Sequence, residues 1–240
     1  MAWTIVLAIH MIGLSMSLLA QSPLAEPTHV VETMKNYDLD KLVSANQQPR
    51  IDNRTFRPSF DEQFDFKEQS RVEKAINDLC KNWTDELWFE LVSRSDDGSY
   101  CIATHRPSAP GAKNWTVGDV CEEIAYTQLT RILDEVKVML STDDITRGRR
   151  PYAFSFLEGQ SLKEWVELHS FKRFDEALSQ IVDSALSQIA IDEKLSSDKR
   201  QEAVETLKRE QATMILVENG LSRVGFPWEK YPLITKKSSR

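Results

Sequence analysis

The chain has 240 residues, 41% of them hydrophobic and 28% charged, with only 8 glycines and 3 cysteines. That composition excludes wholesale disorder, a polytopic membrane protein and a collagen-like fibre, and the shortage of glycine argues against phosphate-cradling loops. With 37 acidic and 30 basic residues the net charge is −7, so the positive footprint that nucleic acid demands is missing and nucleic acid is not expected as a partner.

Residues 1–20 contain no Asp, Glu, Lys or Arg. As a helix this run reaches about 28 Å, roughly one bilayer core. Three readings fit it: a secretory signal cleaved after Ala20, an uncleaved membrane anchor, or a helix buried in a cytosolic protein. The first two are favoured. They place the body outside the cytoplasm, as a secreted, periplasmic or membrane-anchored protein. Residues 21–60 read as a flexible tether, with Pro23, Pro27, Pro49 and Pro58 spread through polar residues and a short helix within 33–42.

Residues 61–235 read as one α+β domain. Ser59 and Glu62 have capping-box spacing, and Val72, Ala75, Ile76, Leu79, Cys80 and Trp83 share one face of a helix over about 62–82. The aromatic and aliphatic runs 86–94 and 100–105, separated by an Asp97-Gly98 signal, predict a hairpin near 86–105. Thr116 with Asp119 caps a helix, and Val117, Val120, Cys121, Ile124, Leu129, Ile132, Leu133, Val136 and Leu140 make the clearest apolar stripe. Residues 142–151 read as a charged loop. Tyr152, Phe154 and Phe156 alternate with smaller side chains, as in a third strand. Ser161 and Glu164 form a second capping box. A stripe from Leu162 to Ile189 follows, with a break near Ser170, and a last helix covers about 197–219. Beyond it, Phe226, Trp228 and Tyr231 should fold back on the body, and residues 236–240 form a basic frayed tail. The expected architecture is a small antiparallel sheet of two or three strands packed against several amphipathic helices.

No complete catalytic set is visible, and neither a cofactor nor a metal is expected. His10 and His29 fall before the body, which leaves His105 and His169, and no zinc-binding motif is present. Cys101 and His105 are four apart on a strand, about 13 Å, too far for a nucleophile pair. Cys80, Cys101 and Cys121 are read mainly as buried small hydrophobes, with a single bridge as the other option. Ser196 and Lys199 match S-x-x-K without its companion motifs, and helix capping explains them as well. Arg147, Arg149 and Arg150 are the densest basic patch, a candidate anion site or a solvated loop offset by Asp143 and Asp144. Asn53, Asn82 and Asn114 head glycosylation sequons, relevant only in a eukaryotic secretory pathway.

The expectation is therefore an exported or membrane-tethered domain that binds an unidentified ligand or protein, with Trp88, Phe154, Phe156 and Trp228 as aromatics for a groove. Two alternatives stand beside it. One is an enzyme built on carboxylates that meet only in the fold. The other is a membrane-associated assembly protein using the C-terminal helices.

Overall fold

A computed structural model describes residues 37–52, 54–55, 57–81, 84–105, 112–146, 152–216, 226 and 231–234, without the side chains at 142–146 and 214–216. The described residues all belong to one compact unit, which takes in Tyr37 onward. The leader at 1–20, Trp83 and the basic tail at 236–240 lie outside them.

The packed body begins earlier than the expected boundary at residue 61. Leu39 and Leu42 lie in a 3-10 turn and are buried in the main core. Arg71 donates to the carbonyl oxygens of Lys41 and Val43, each at 2.9 Å. Asn46 clasps the backbone of Asp65, accepting from its N–H and donating to its carbonyl at 2.8 Å each. Strands β1 (Arg50–Ile51) and β2 (Pro58–Ser59) then pair antiparallel. What composition suggested as tether is fixed from residue 37 by side chains far along the chain.

Helix α1 (Phe66–Lys81) starts later than the Ser59/Glu62 spacing implied. Ser59 is committed to β2, and Asp65 takes the capping role by accepting from the Lys67 N–H at 2.8 Å. Of the predicted face, Val72, Ile76, Leu79 and Cys80 are buried and Ala75 is partly so, and Gln69, not expected there, is buried with them.

The expected hairpin near 86–105 is not formed. Asp85–Ser93 is a helix, α2. Thr84 caps it through the Leu87 N–H, and Asp85 and Glu86 lie in the first turn, where the helix dipole favours negative charge. Its buried residues, Leu87, Trp88, Leu91 and Val92, recur as a helical stripe and not as an alternation. The antiparallel pair is instead β3 (Tyr100–His105) with β4 (Ala112–Thr116), carrying an irregularity between Tyr100 and Ile102.

A third segment does join this sheet, but it comes from the C-terminal region. Thr104 bridges Leu233 antiparallel, His105 N–H donates to the Pro232 carbonyl at 2.8 Å, and the buried Gln69 amide donates to the Ile234 carbonyl. Phe226 and Tyr231 pack edge-on against Trp115, at 5.5 and 4.7 Å between ring centroids. Residues 152–156 are not a strand. Side chains meet the backbone at two of them: Ser141 accepts from the Tyr152 N–H at 2.6 Å, and the Gln188 amide meets both backbone groups of Ser155, at 3.0 and 2.7 Å.

The helices from Thr116 onward follow the sequence reading, apart from residues 142–146 and 152–156. The Thr116/Asp119 capping box opens α3 (Val117–Thr130), a 3-10 turn at Arg131–Leu133 follows, and α4 runs Asp134–Thr146. Residues 142–146, expected in a loop, are therefore the end of a helix. Every residue of the predicted stripe from Val117 to Leu140 is buried. Helix α5 (Leu162–His169) opens on the Ser161/Glu164 capping box and ends at Ser170, whose φ of 54° is left-handed. Helices α6 (Phe174–Ile191) and α7 (Ser197–Leu216) complete an α+β arrangement around α3.

Candidate ligand cleft

A cleft of about 190 Å³ opens between the 156–160 turn, the C-terminal half of α5 and the middle of α6. Sequence places two of the three walls by local rules. Leu157 accepts from the Gln160 N–H at 2.8 Å, closing a tight turn whose central residues Glu158 and Gly159 both have positive φ, 49° and 88°. The Ser161 capping box then aims α5 away from that turn, so Trp165 and His169, one helical turn apart, share the face that meets the cleft.

The floor is aromatic. Phe156 and Trp165, both buried, meet edge-to-face at 5.4 Å. Tyr126 from α3 stacks on Phe156 at 5.7 Å, and the His169 ring lies nearly parallel to Phe171 at 5.1 Å. Around this floor stand Glu158, Gln160, His169, Gln180 and Ser184.

Three of these groups have a defined bonding state. His169 Nδ1 lies 2.8 Å from the Trp165 carbonyl, an oxygen that can only accept. The Nδ1 proton is thereby placed, and in the neutral ring Nε2 is left as an acceptor. Gln160 Oε1 is buried and has no hydrogen-bond partner. Leaving such an acceptor unsatisfied costs about 1–3 kcal/mol. Ser184 accepts from Gln188 Nε2 at 3.1 Å, so its own proton is available to a further acceptor.

The candidates read from the sequence fall mostly elsewhere. Arg147, Arg149 and Arg150 lie outside the described residues, as do Asn53, Asn82 and Trp228. Asn114 is on β4, where its Nδ2 donates to the Pro49 carbonyl at 2.7 Å while the sequon's Thr116 hydroxyl is engaged in the capping box. Of the aromatics proposed for a groove, Phe156 lines the cleft. Trp88 is fully buried, with its indole N–H on the Ala125 carbonyl at 3.0 Å, and Phe154 packs against the core.

No family model, no curated protein and no solved structure matches this chain. Its chemistry has to be read from its own groups. Among the described residues no cluster of three or more His, Cys, Asp or Glu could hold a metal ion. Ser196 Oγ accepts from the Lys199 N–H at 3.3 Å, an ordinary helix start. Burial pushes the carboxyls of Glu73 on α1 and Asp85 on α2 above the usual range, yet neither lines the cleft. Asp85 accepts from the Phe174 N–H and ties the start of α2 to the start of α6. The buried Gln128 also lacks a partner at both amide atoms, but it does not line the cleft.

Sequence reasoning missed Gln160, His169, Gln180 and Ser184 as a group. Glu158-Gly159 after an aromatic run could have flagged the turn. No sequence signal marks Gln160 Oε1 as an acceptor left without a partner in the fold.

Proposed function

We propose that this chain is an exported or membrane-tethered domain that works by binding, holding a small polar ligand or one side chain of a partner in the cleft at 156–184. The observation that carries this reading is Gln160 Oε1, buried without a donor beside an aromatic floor. Gln160 lines the cleft and is only half-buried as a residue, so a small turn of its side chain would bring that unpaired oxygen to a ligand donor. The size suits a few heavy atoms. A cavity of roughly 150 Å³ holds a benzene-sized guest.

Binding is preferred to catalysis because the cleft offers one carboxylate and one imidazole, not two facing acids. Assembly through the C-terminal helices is less favoured. Ile189 of α6 and Ala203 and Leu207 of α7 are already taken up in the main core. Export rests on the uncharged opening run alone. Among the described residues no helix is long and apolar enough to cross a membrane.

Two measurements test the proposal. Calorimetric titration of the full chain with agmatine, glucose and inorganic phosphate should give saturable heat with at least one probe, weakened by Gln160→Met. Silence with all three overturns the binding reading. Intact mass of the chain from exported, membrane and cytosolic fractions tests location. Full-length chain dissolved in the cytosol, Met1 included, overturns export.

A further inference from the structure

We infer that the cleft selects a small organic cation bearing N–H donors, an amine or a guanidinium. The inference rests on the binding reading above and narrows it to one chemical class.

Three of the lining groups offer acceptors, while Ser184 and the amide groups of Gln160 and Gln180 can also donate. Gln160 Oε1 is a buried acceptor that needs a donor. Glu158 places a carboxylate at the rim, and Nδ1 of His169 is committed to the Trp165 carbonyl, which leaves Nε2 as the acceptor of the neutral ring. An ammonium or guanidinium has donors only, so it can meet these acceptors without bringing an unmatched lone pair.

The charge balance points the same way. Among the described residues no Lys or Arg lines the cleft, so an anion would enter beside Glu158 without a cationic side chain from them. The net charge of −7 adds long-range attraction for cations. Trp165 and Phe156 line the cleft as buried rings, with Tyr126 already stacked on Phe156. A neutral polyol would also find partners, but it would leave the charge of the carboxylate unmatched.

The conformation of the turn fits a binding role. Glu158 and Ser170 are the non-glycine residues with positive φ among the described residues, and they sit at the two ends of the α5 segment that carries the cleft. Such positions are costly unless their surroundings hold them.

The test uses the full chain and calorimetric titration with agmatine, glucose and inorganic phosphate. Agmatine should bind at least tenfold more tightly than either of the others. Gln160→Met, which removes the acceptor at nearly constant volume, should weaken agmatine at least tenfold. Glu158→Gln should weaken it about threefold to tenfold and flatten its salt dependence. Glu158 is exposed, so this second variant keeps the test valid if Gln160→Met perturbs folding.

An acetylated Gly-Arg-Gly amide, run beside agmatine, separates a partner's side chain from a free small molecule. Tighter binding by either cation supports the inference. Glucose or phosphate binding best, with sensitivity to Gln160→Met, overturns the cation class while leaving the binding reading in place. Agmatine binding unchanged in both variants overturns it as well. Silence with every probe sinks both.

Discussion

A methyl group on Gly118 would meet the Ser95 carbonyl oxygen at 2.4 Å and the Asp97 nitrogen at 2.9 Å. Both are backbone atoms of the loop joining α2 to β3, and the Gly118 N–H donates to the Asp97 carbonyl at 2.8 Å, so neither side can yield freely. Gly118→Ala should therefore cost about 1–3 kcal/mol in urea denaturation. Gly98, in the same loop, has open space around its Cβ position and no positive φ, so Gly98→Ala should stay within about 0.5 kcal/mol. The Asp97-Gly98 pair thus acts through the aspartate and not through glycine's conformational freedom. The Asp97 carboxylate accepts from the Ser99 N–H at 2.9 Å and from Arg94 at 2.7 Å. Those bonds, the Ser99 backbone foremost, hold its carboxyl below the usual aspartate range. A lowered folded-state pKa contributes stability that is complete above the unfolded value and is lost as pH falls through the folded one. Asp97→Asn should accordingly cost about 1–2 kcal/mol at pH 7. The gap to the parent should close as pH drops below about 4, and a gap independent of pH would refute the assignment.

Elements governed by local chemistry were legible in the sequence, and elements governed by distant partners were not. The Thr116 cap and the Ser161/Glu164 box need only residues three apart and form as expected, with Asp119 also accepting from the Thr116 N–H, whereas the Ser59/Glu62 spacing misled because β2 takes Ser59. The run 86–94 misled because a short, nearly continuous apolar stretch has no decisive period, and Thr84, the cap that settles it as α2, is the third residue of a sequon. The alternation at 152–156 is real and points to a third strand. Gln188 and Ser141 replace the strand partner there, and residues 232–234 take the sheet edge from far along the chain. The cleft shares this character, since its groups come from a turn and two helices and its key signal is a missing bond. Its turn yields a prediction at this scale. Glu158 holds a positive φ that a long side chain disfavours and Asn or Gly accepts. Glu158→Asn should raise stability by about 1 kcal/mol in thermal melts. Because it also removes the rim carboxylate, the same change should weaken agmatine. Stability gained without loss of agmatine affinity would detach the strain from the site.

Across the whole molecule the C-terminal segment closes the fold. Phe226 and Tyr231 cover Trp115, Ile234 packs with Ala103 and Ala112, and Lys113 sits 3.4 Å from the Trp115 ring centroid. The same segment covers a thiol, since the Phe226 backbone N–H is bonded to Cys80. All three cysteines are free and buried, and burial pushes Cys80 up to about 11 and Cys121 up to about 12, with Cys101 raised further. The thiolate is the reactive form, so a disulfide reagent should reach these residues only when the structure opens. Cys101 on β3 and Cys121 on α3 are fully buried in the main core, and their labelling should follow global unfolding, accelerating together with urea. Cys80 depends in part on a segment held by rings and a few backbone bonds. Tyr231→Ala removes one of those rings, and it should speed Cys80 labelling at least tenfold while changing the other two much less. Peptide mapping after timed labelling of the full chain reads the three sites separately. Equal acceleration at all three would mean that the segment and the core unfold as one unit, and a fast phase at Cys121 in the parent chain would contradict the burial of α3 itself.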